Sequence, residues 1–147
     1  MLASATPFVD AQHRYHFTMP TVCRTAPAAP PVPAYAACGD GYAMVLFRGG
    51  STSRAGLQAL FDELTSTWRN PKLLLNEARG TLDGYPLRTI FAEGTDRRGV
   101  RVDLQVLAVA KDGGWYALTF SLPANEWRSD APRYFVPIRQ SFRFDRR

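Results

Sequence analysis

A chain of 147 residues, 46% hydrophobic and 21% charged, can bury a sizeable core and is too apolar to stay disordered over most of its length. Its apolar runs are too short to cross a bilayer as helices, and two cysteines with no second Cys pair or downstream His pair exclude the usual zinc patterns. The net charge of +5 and the pI near 9.6 invite a nucleic-acid reading. Yet residues 128–147 hold six Arg and two Asp, a net of +4, and Lys occurs only at Lys72 and Lys111. General surface charge is therefore expected, and no nucleic-acid partner.

The opening MLASATPFVDAQHR has no charged segment leading into an apolar one, so no signal peptide is expected within it. An intracellular location and an exported one, with its leader already removed, both stay open. Residues 1–13 are expected to be disordered, and 14–147 to form a single α+β domain. RYHFT (14–18) sets Tyr15 and Phe17 against polar neighbours, the period-2 pattern of a half-buried strand. MPTVCRTAPAAPPVPAY follows, and its five prolines predict a long surface connection. Cys23 and Cys38, separated by this Pro/Ala-rich loop, come close enough to bridge if the strands flanking it pair; two free, inert thiols are the other reading. YAMVLFR (42–48) is a largely buried strand.

In GGSTSRAGLQALFDELTSTWRN, Leu57, Leu60, Phe61, Leu64 and Trp68 recur at spacings of three and four, which predicts a helix over 54–69. Thr52 or Ser53 caps its start and Asn70-Pro71 ends it. Paired glycines before Ser and Thr suggest an anion cradle, but the Lys and spacing of a phosphate-binding loop are missing, so a plain cap is expected. KLLLNEARGTL, YPLRTIFAEG, VRVDLQVLAVA and WYALTFSL then read as four strands. Asp83-Gly84, Asp96-Arg97-Arg98-Gly99 and Asp112-Gly113-Gly114 separate them, predicting an antiparallel meander. In the third strand Val100, Val102, Leu104 and Val106 alternate with Arg101, Asp103 and Gln105, which predicts one buried and one wet face.

The C-terminal APRYFVPIRQSFRF is the densest aromatic and arginine stretch of the chain. Ser129 or Asp130 is the expected cap of a helix with Pro132 in its first turn. Tyr134, Phe135, Ile138 and Phe142 form its core stripe, and Pro137 should kink it or split it into two short turns. Phe142 and Phe144 alternate with Arg143, so the end can turn extended and join the sheet. The arginines fall off the stripe. Arg139, Arg143, Arg146 and Arg147 are expected to form a basic rim for an acidic partner.

No motif marks a catalytic site. Glu77, Glu93, Asp96 and Asp103 show no acid–base spacing, G-x-S-x-G is absent, and neither cysteine has neighbours that would lower its pKa. His13 and His16 would point to opposite faces of a strand. Trp115-Tyr116 beside a Gly-Gly turn reads as a hairpin anchor. No catalytic residue, cofactor or metal is expected.

RYHFTMP near the start, DGYPLRTIFAEG, GWYALTFSLP and the terminal IRQSFRF, in the order strand, long loop, strand, helix, meander, helix, resemble the PsbP-like fold over about residues 14–144. That group includes bacterial DcrB-like proteins and a eukaryotic Ran-release factor. The resemblance implies an antiparallel sheet of about six strands with two helices packed against it, and a binding role. Members serve as envelope lipoproteins, photosystem extrinsic subunits or chaperone-like adaptors. A non-enzymatic accessory module of a bacterial assembly, with a protein partner, is the leading expectation. An enzyme acting on a small or cell-wall-derived ligand and a weak nucleic-acid binder are the alternatives.

Overall fold

The computed structural model describes residues 5–10, 14–29, 33–50 and 52–145. Along the chain run β1 (Ala5–Asp10), β2 (Tyr15–Pro20), β3 (Arg24–Ala26), β4 (Tyr35–Cys38), β5 (Gly41–Gly49) and α1 (Arg54–Leu64). They are followed by β6 (Arg69–Leu82), β7 (Tyr85–Thr95), β8 (Arg101–Lys111), β9 (Gly114–Pro123), α2 (Ala124–Ser141) and β10 (Arg143–Phe144). Seven strands form one antiparallel sheet in the order β3-β4-β5-β9-β8-β7-β6, and three form a smaller one, β1-β2-β10.

The meander follows from its turns. Asp83-Gly84 and Asp112-Gly113 each place two consecutive residues at positive φ, as a two-residue hairpin turn demands. At the third turn the Asp96 carboxylate accepts from the amides of Arg98 and Val100, at 2.9 and 3.1 Å. β9 closes the meander and pairs on its other side with β5, from Tyr42↔Ser121 to Gly49↔Gly114. That central position buries β9 along its whole length.

Both faces of the large sheet are covered. On one face, α1 packs Leu57, Leu60 and Phe61 onto Leu46, Ile90, Leu104, Val106 and Trp115. Gly94 leaves room on this face for the Trp68 ring, which a Cβ there would approach to 2.7 Å. On the other, α2 and the small sheet set Phe17, Phe135, Ile138 and Phe142 against Leu107, Val109, Leu118 and Phe120. The expectation of one wet face is thus corrected: Leu107 and Val109 are buried, and Asp103 and Gln105 are half-buried. A single strand's alternation does not reveal what lies across each face.

The termini depart furthest from expectation. Within the segment expected to be disordered, residues 5–10 pair with β2 from Ala5↔Pro20 to Asp10↔Tyr15. Phe8 supplies the reason, stacking on Phe17 at 4.6 Å in the core; residues 1–4 and 11–13 lie outside the described residues. Instead of about six strands there are ten among the described residues. The proline-rich connection contributes β3 and leads into β4, and Cys23 and Cys38 are joined as a disulfide with Cα atoms 4.3 Å apart.

Helix α1 stops at Leu64, earlier than expected, because the Thr65 hydroxyl donates to the Phe61 carbonyl at 2.8 Å and takes the C-cap. Asn70-Pro71 then lies in β6, where an edge position and a register shift between Arg69 and Lys72 accommodate the proline. Helix α2 starts at Ala124, directly after β9, rather than near Ser129 or Asp130. It runs through both Pro132 and Pro137 as one helix, held by the burial of Ala131, Tyr134, Phe135 and Ile138. The Ser141 hydroxyl fastens its end: it accepts from the Thr18 amide at 2.9 Å and lies 2.8 Å from the Pro137 carbonyl.

Candidate binding groove

Helical spacing puts Trp127, Ala131 and Phe135 on one stripe of α2, and Arg128, Pro132 and Val136 on the stripe beside it, with Arg139 at the far end. Where these stripes meet the sheet they enclose a groove of about 270 Å³, whose sheet wall is Gln105 and Phe120. Its floor is aromatic. Phe120 stacks on Phe135 at 4.5 Å, and Trp127 lies 5.8 Å from Phe135 and 5.3 Å from Phe91. Ala131 is too small to fill the space between them, and Val136 is 43% exposed at the lip.

Arginines flank this floor. Arg128 is exposed and Arg139 half-buried, its guanidinium 3.4 Å from where a Cβ on Gly80 of β6 would stand. Among the described residues neither is ion-paired, whereas Arg48, Arg79, Arg98, Arg101 and Arg143 all have carboxylate partners. Arg133 lies over the Tyr134 ring at 5.4 Å. The groove thus offers an apolar floor, two free guanidinium forks and the Gln105 amide.

Of the rim expected from sequence, Arg139 reaches this groove. Arg143 instead donates to the carbonyls of Gln140 and Phe142 and approaches Asp83 at 3.7 Å, pinning the end of α2. Arg146 and Arg147 lie outside the described residues. Arg128 and Trp127 were missed because α2 begins earlier than the prolines suggested; the continuation of the Ala131–Phe135 spacing back to Trp127 is the signal that finds them.

Among the four acids, Glu93 and Asp103 do come together, as cross-strand partners of β7 and β8. Arg101 pairs with Glu93. Burial holds the Asp103 carboxyl above the usual carboxylate range; the Glu93 charge adds to the rise and Arg101 opposes it. The hairpin turn centred on Arg98 could have shown this pairing, since partners sit symmetrically about it. Asp96 is held within that turn, and Glu77 pairs with Arg79 at 3.2 Å.

The remaining candidates have structural roles. Ser53 accepts from the Gly56 amide at 2.9 Å, as a helix cap. His16 lies 2.7 Å from the Asp145 carboxylate, and His13 is outside the described residues. Among the described residues no three His, Cys, Asp or Glu side chains gather as a metal site. Trp115 and Tyr116 are buried in opposite faces of the sheet.

By sequence the chain matches no family model and no curated protein. By structure it superposes on the cyanobacterial PsbP (CyanoP) from Synechocystis sp. PCC 6803 with a TM-score of 0.66 and 17% identity, covering 98% of this chain and 94% of that one. The fold is PsbP-like. LpqN, a Mycobacterium tuberculosis protein involved in cell envelope biogenesis, is also similar, with a TM-score of 0.55 and 12% identity over 97% of this chain and 86% of that one. In this PsbP-like frame, α2 lies across the face of the meander, and the groove runs along its β8 side. No helix among the described residues is long and apolar enough to cross a membrane.

Proposed function

We propose that this chain is a non-enzymatic accessory module of a bacterial protein assembly, associated with the envelope or with secretion, and that a protein partner docks in the α2 groove. One observation carries the reading: Arg128 and Arg139 stand unpaired at either end of an aromatic floor. An enclosed site would converge its polar groups on one point. Here the two guanidinium groups are spread along a helix face, which suits recognition of a chain better than chemistry on a bond. The Glu93–Asp103 pair is outside the groove lining and already engages Arg101. Covered sheet faces support protein over nucleic acid, because single strands bind on exposed aromatic platforms. The disulfide supports an oxidising compartment, and the fold shared with an envelope-biogenesis protein agrees with it.

Photo-crosslinking in the source cell tests the proposal. A photoreactive side chain at Val136 should capture a defined protein, identified by mass spectrometry. The same group at Leu74, 51% exposed on the β6 edge, is the control. Capture of one protein from Leu74 and none from Val136 would move the binding surface away from α2.

A further inference from the structure

We infer that the partner segment is an extended acidic stretch, with carboxylates for Arg128 and Arg139 bracketing an apolar side chain that enters over Ala131 and Val136. This rests on the groove being the docking site and adds the chemistry of its occupant. The two arginines are eleven positions apart, about 16 Å along the helix axis at about 1.5 Å per residue, and they return to nearly the same azimuth. An extended chain covers that span in about five residues. Guanidinium forks bind carboxylates with two parallel hydrogen bonds, and with no carboxylate at either arginine among the described residues, both forks stay available.

The other occupants fit less well. A groove of about 270 Å³ takes one or two side chains and is too small for a helix. A second copy meeting this face about a two-fold axis through its centre would bring Arg128 against the copy's Arg139 and Arg139 against its Arg128, like charge on like charge. An anionic bilayer is flat and would contact the arginines while leaving the recessed aromatic floor unfilled. An acidic peptide with an apolar anchor satisfies both the charges and the floor.

Random peptides displayed on phage, selected on the full wild-type chain and counter-selected on an Arg128→Gln/Arg139→Gln chain, test the inference. Selected sequences should carry pairs of Asp or Glu about five residues apart around an aromatic or aliphatic residue. A winning peptide, labelled and followed by anisotropy, should bind about fivefold more weakly to each single Arg→Gln chain, with the loss shrinking as salt rises. Arg97→Gln, on an exposed turn, should leave the affinity unchanged. Selected peptides without acidic enrichment, or no enrichment above an unrelated bait, would overturn the inference. If such neutral peptides are still blocked by Val136→Asp, the groove survives as a docking site and only its acidic preference falls. If Val136→Asp also has no effect, the docking reading falls with it. Arg-dependent binding to vesicles of phosphatidylglycerol and phosphatidylcholine without acidic peptide selection would assign the face to a lipid surface. A dimer that dissociates on Val136→Asp would assign it to self-association.

Discussion

Phe142 sits where α2 gives way to β10, fully buried, with its ring 5.5 Å from Tyr15, 6.3 Å from Phe17 and 5.1 Å from Phe144. It therefore joins the helix, the small sheet and the C-terminus in one aromatic cluster. Phe142→Ala should cost about 3–5 kcal/mol in chemical unfolding, because three neighbouring rings cannot all collapse into the space left. Leu57 and Leu60 hold the equivalent place under α1, while Leu64 is only half-buried, so a Leu64→Ala change should cost less than Leu60→Ala. Asp103 gives a prediction of opposite sign. Its folded carboxyl titrates above the unfolded one, so the fold is unpenalised below the ordinary carboxylate value and loses stability as pH rises through the raised one. Asp103→Asn should accordingly raise the melting temperature relative to wild type at pH 7, and the gain should fade toward pH 3. An equal gain at both pH values would assign the effect to packing instead of charge.

At the scale of elements, β10 shows how a two-residue strand is held. The Asp83 carboxylate accepts from the Phe144 amide at 2.9 Å and faces Arg143, while its own backbone at φ 49° makes the β6–β7 turn. Asp83→Ala should lose both the dock and the turn and cost about 1–3 kcal/mol. Asp83→Asn, which tolerates the left-handed conformation and keeps an acceptor, should cost less, as paired thermal melts would show. This arrangement also marks the limit of local reading. The four meander strands were legible because alternating apolar residues and Asp-Gly turns are encoded within a few residues of each other. The core stripe Tyr134, Phe135, Ile138 and Phe142 was legible for the same reason. β1, β3 and β4 were not: each pairs with its neighbour along the chain, but their short sequences, interrupted or flanked by prolines, show no alternating apolar pattern. Helix α2 was misplaced because Pro132 and Pro137 argue locally against a continuous helix, and only tertiary packing overrides them. The groove inherited that error: Arg139 was expected on a basic rim, but its placement with Arg128 along an aromatic floor exists only once the helix begins at Ala124.

At the scale of the whole molecule, the Cys23–Cys38 bond ties the shortest strand of the large sheet to its neighbour, beside the edge where the proline-rich connection leaves and returns. Both cysteines are buried against the same core that α2 and the small sheet close. The bond closes a loop with a sequence separation of 15 residues. In the chain-entropy account, a cross-link of that length removes about 3 kcal/mol worth of freedom from the unfolded chain. The folded contacts themselves need not change, because β3 and β4 also pair from Arg24↔Ala37 to Ala26↔Tyr35. Oxidised protein should therefore be more stable than the Cys23→Ser/Cys38→Ser double variant by about 3 kcal/mol in denaturant unfolding. The groove, on the opposite flank of β9 from β3 and β4, should keep its affinity for an acidic peptide in that variant. Intact mass before and after reduction should differ by about two hydrogens, since each disulfide replaces two thiols. Two alkylatable thiols in protein purified under oxidising conditions would remove the bond, and with it the main support for an exported location. A stability loss accompanied by loss of peptide binding would show instead that the edge and the groove belong to one cooperative unit.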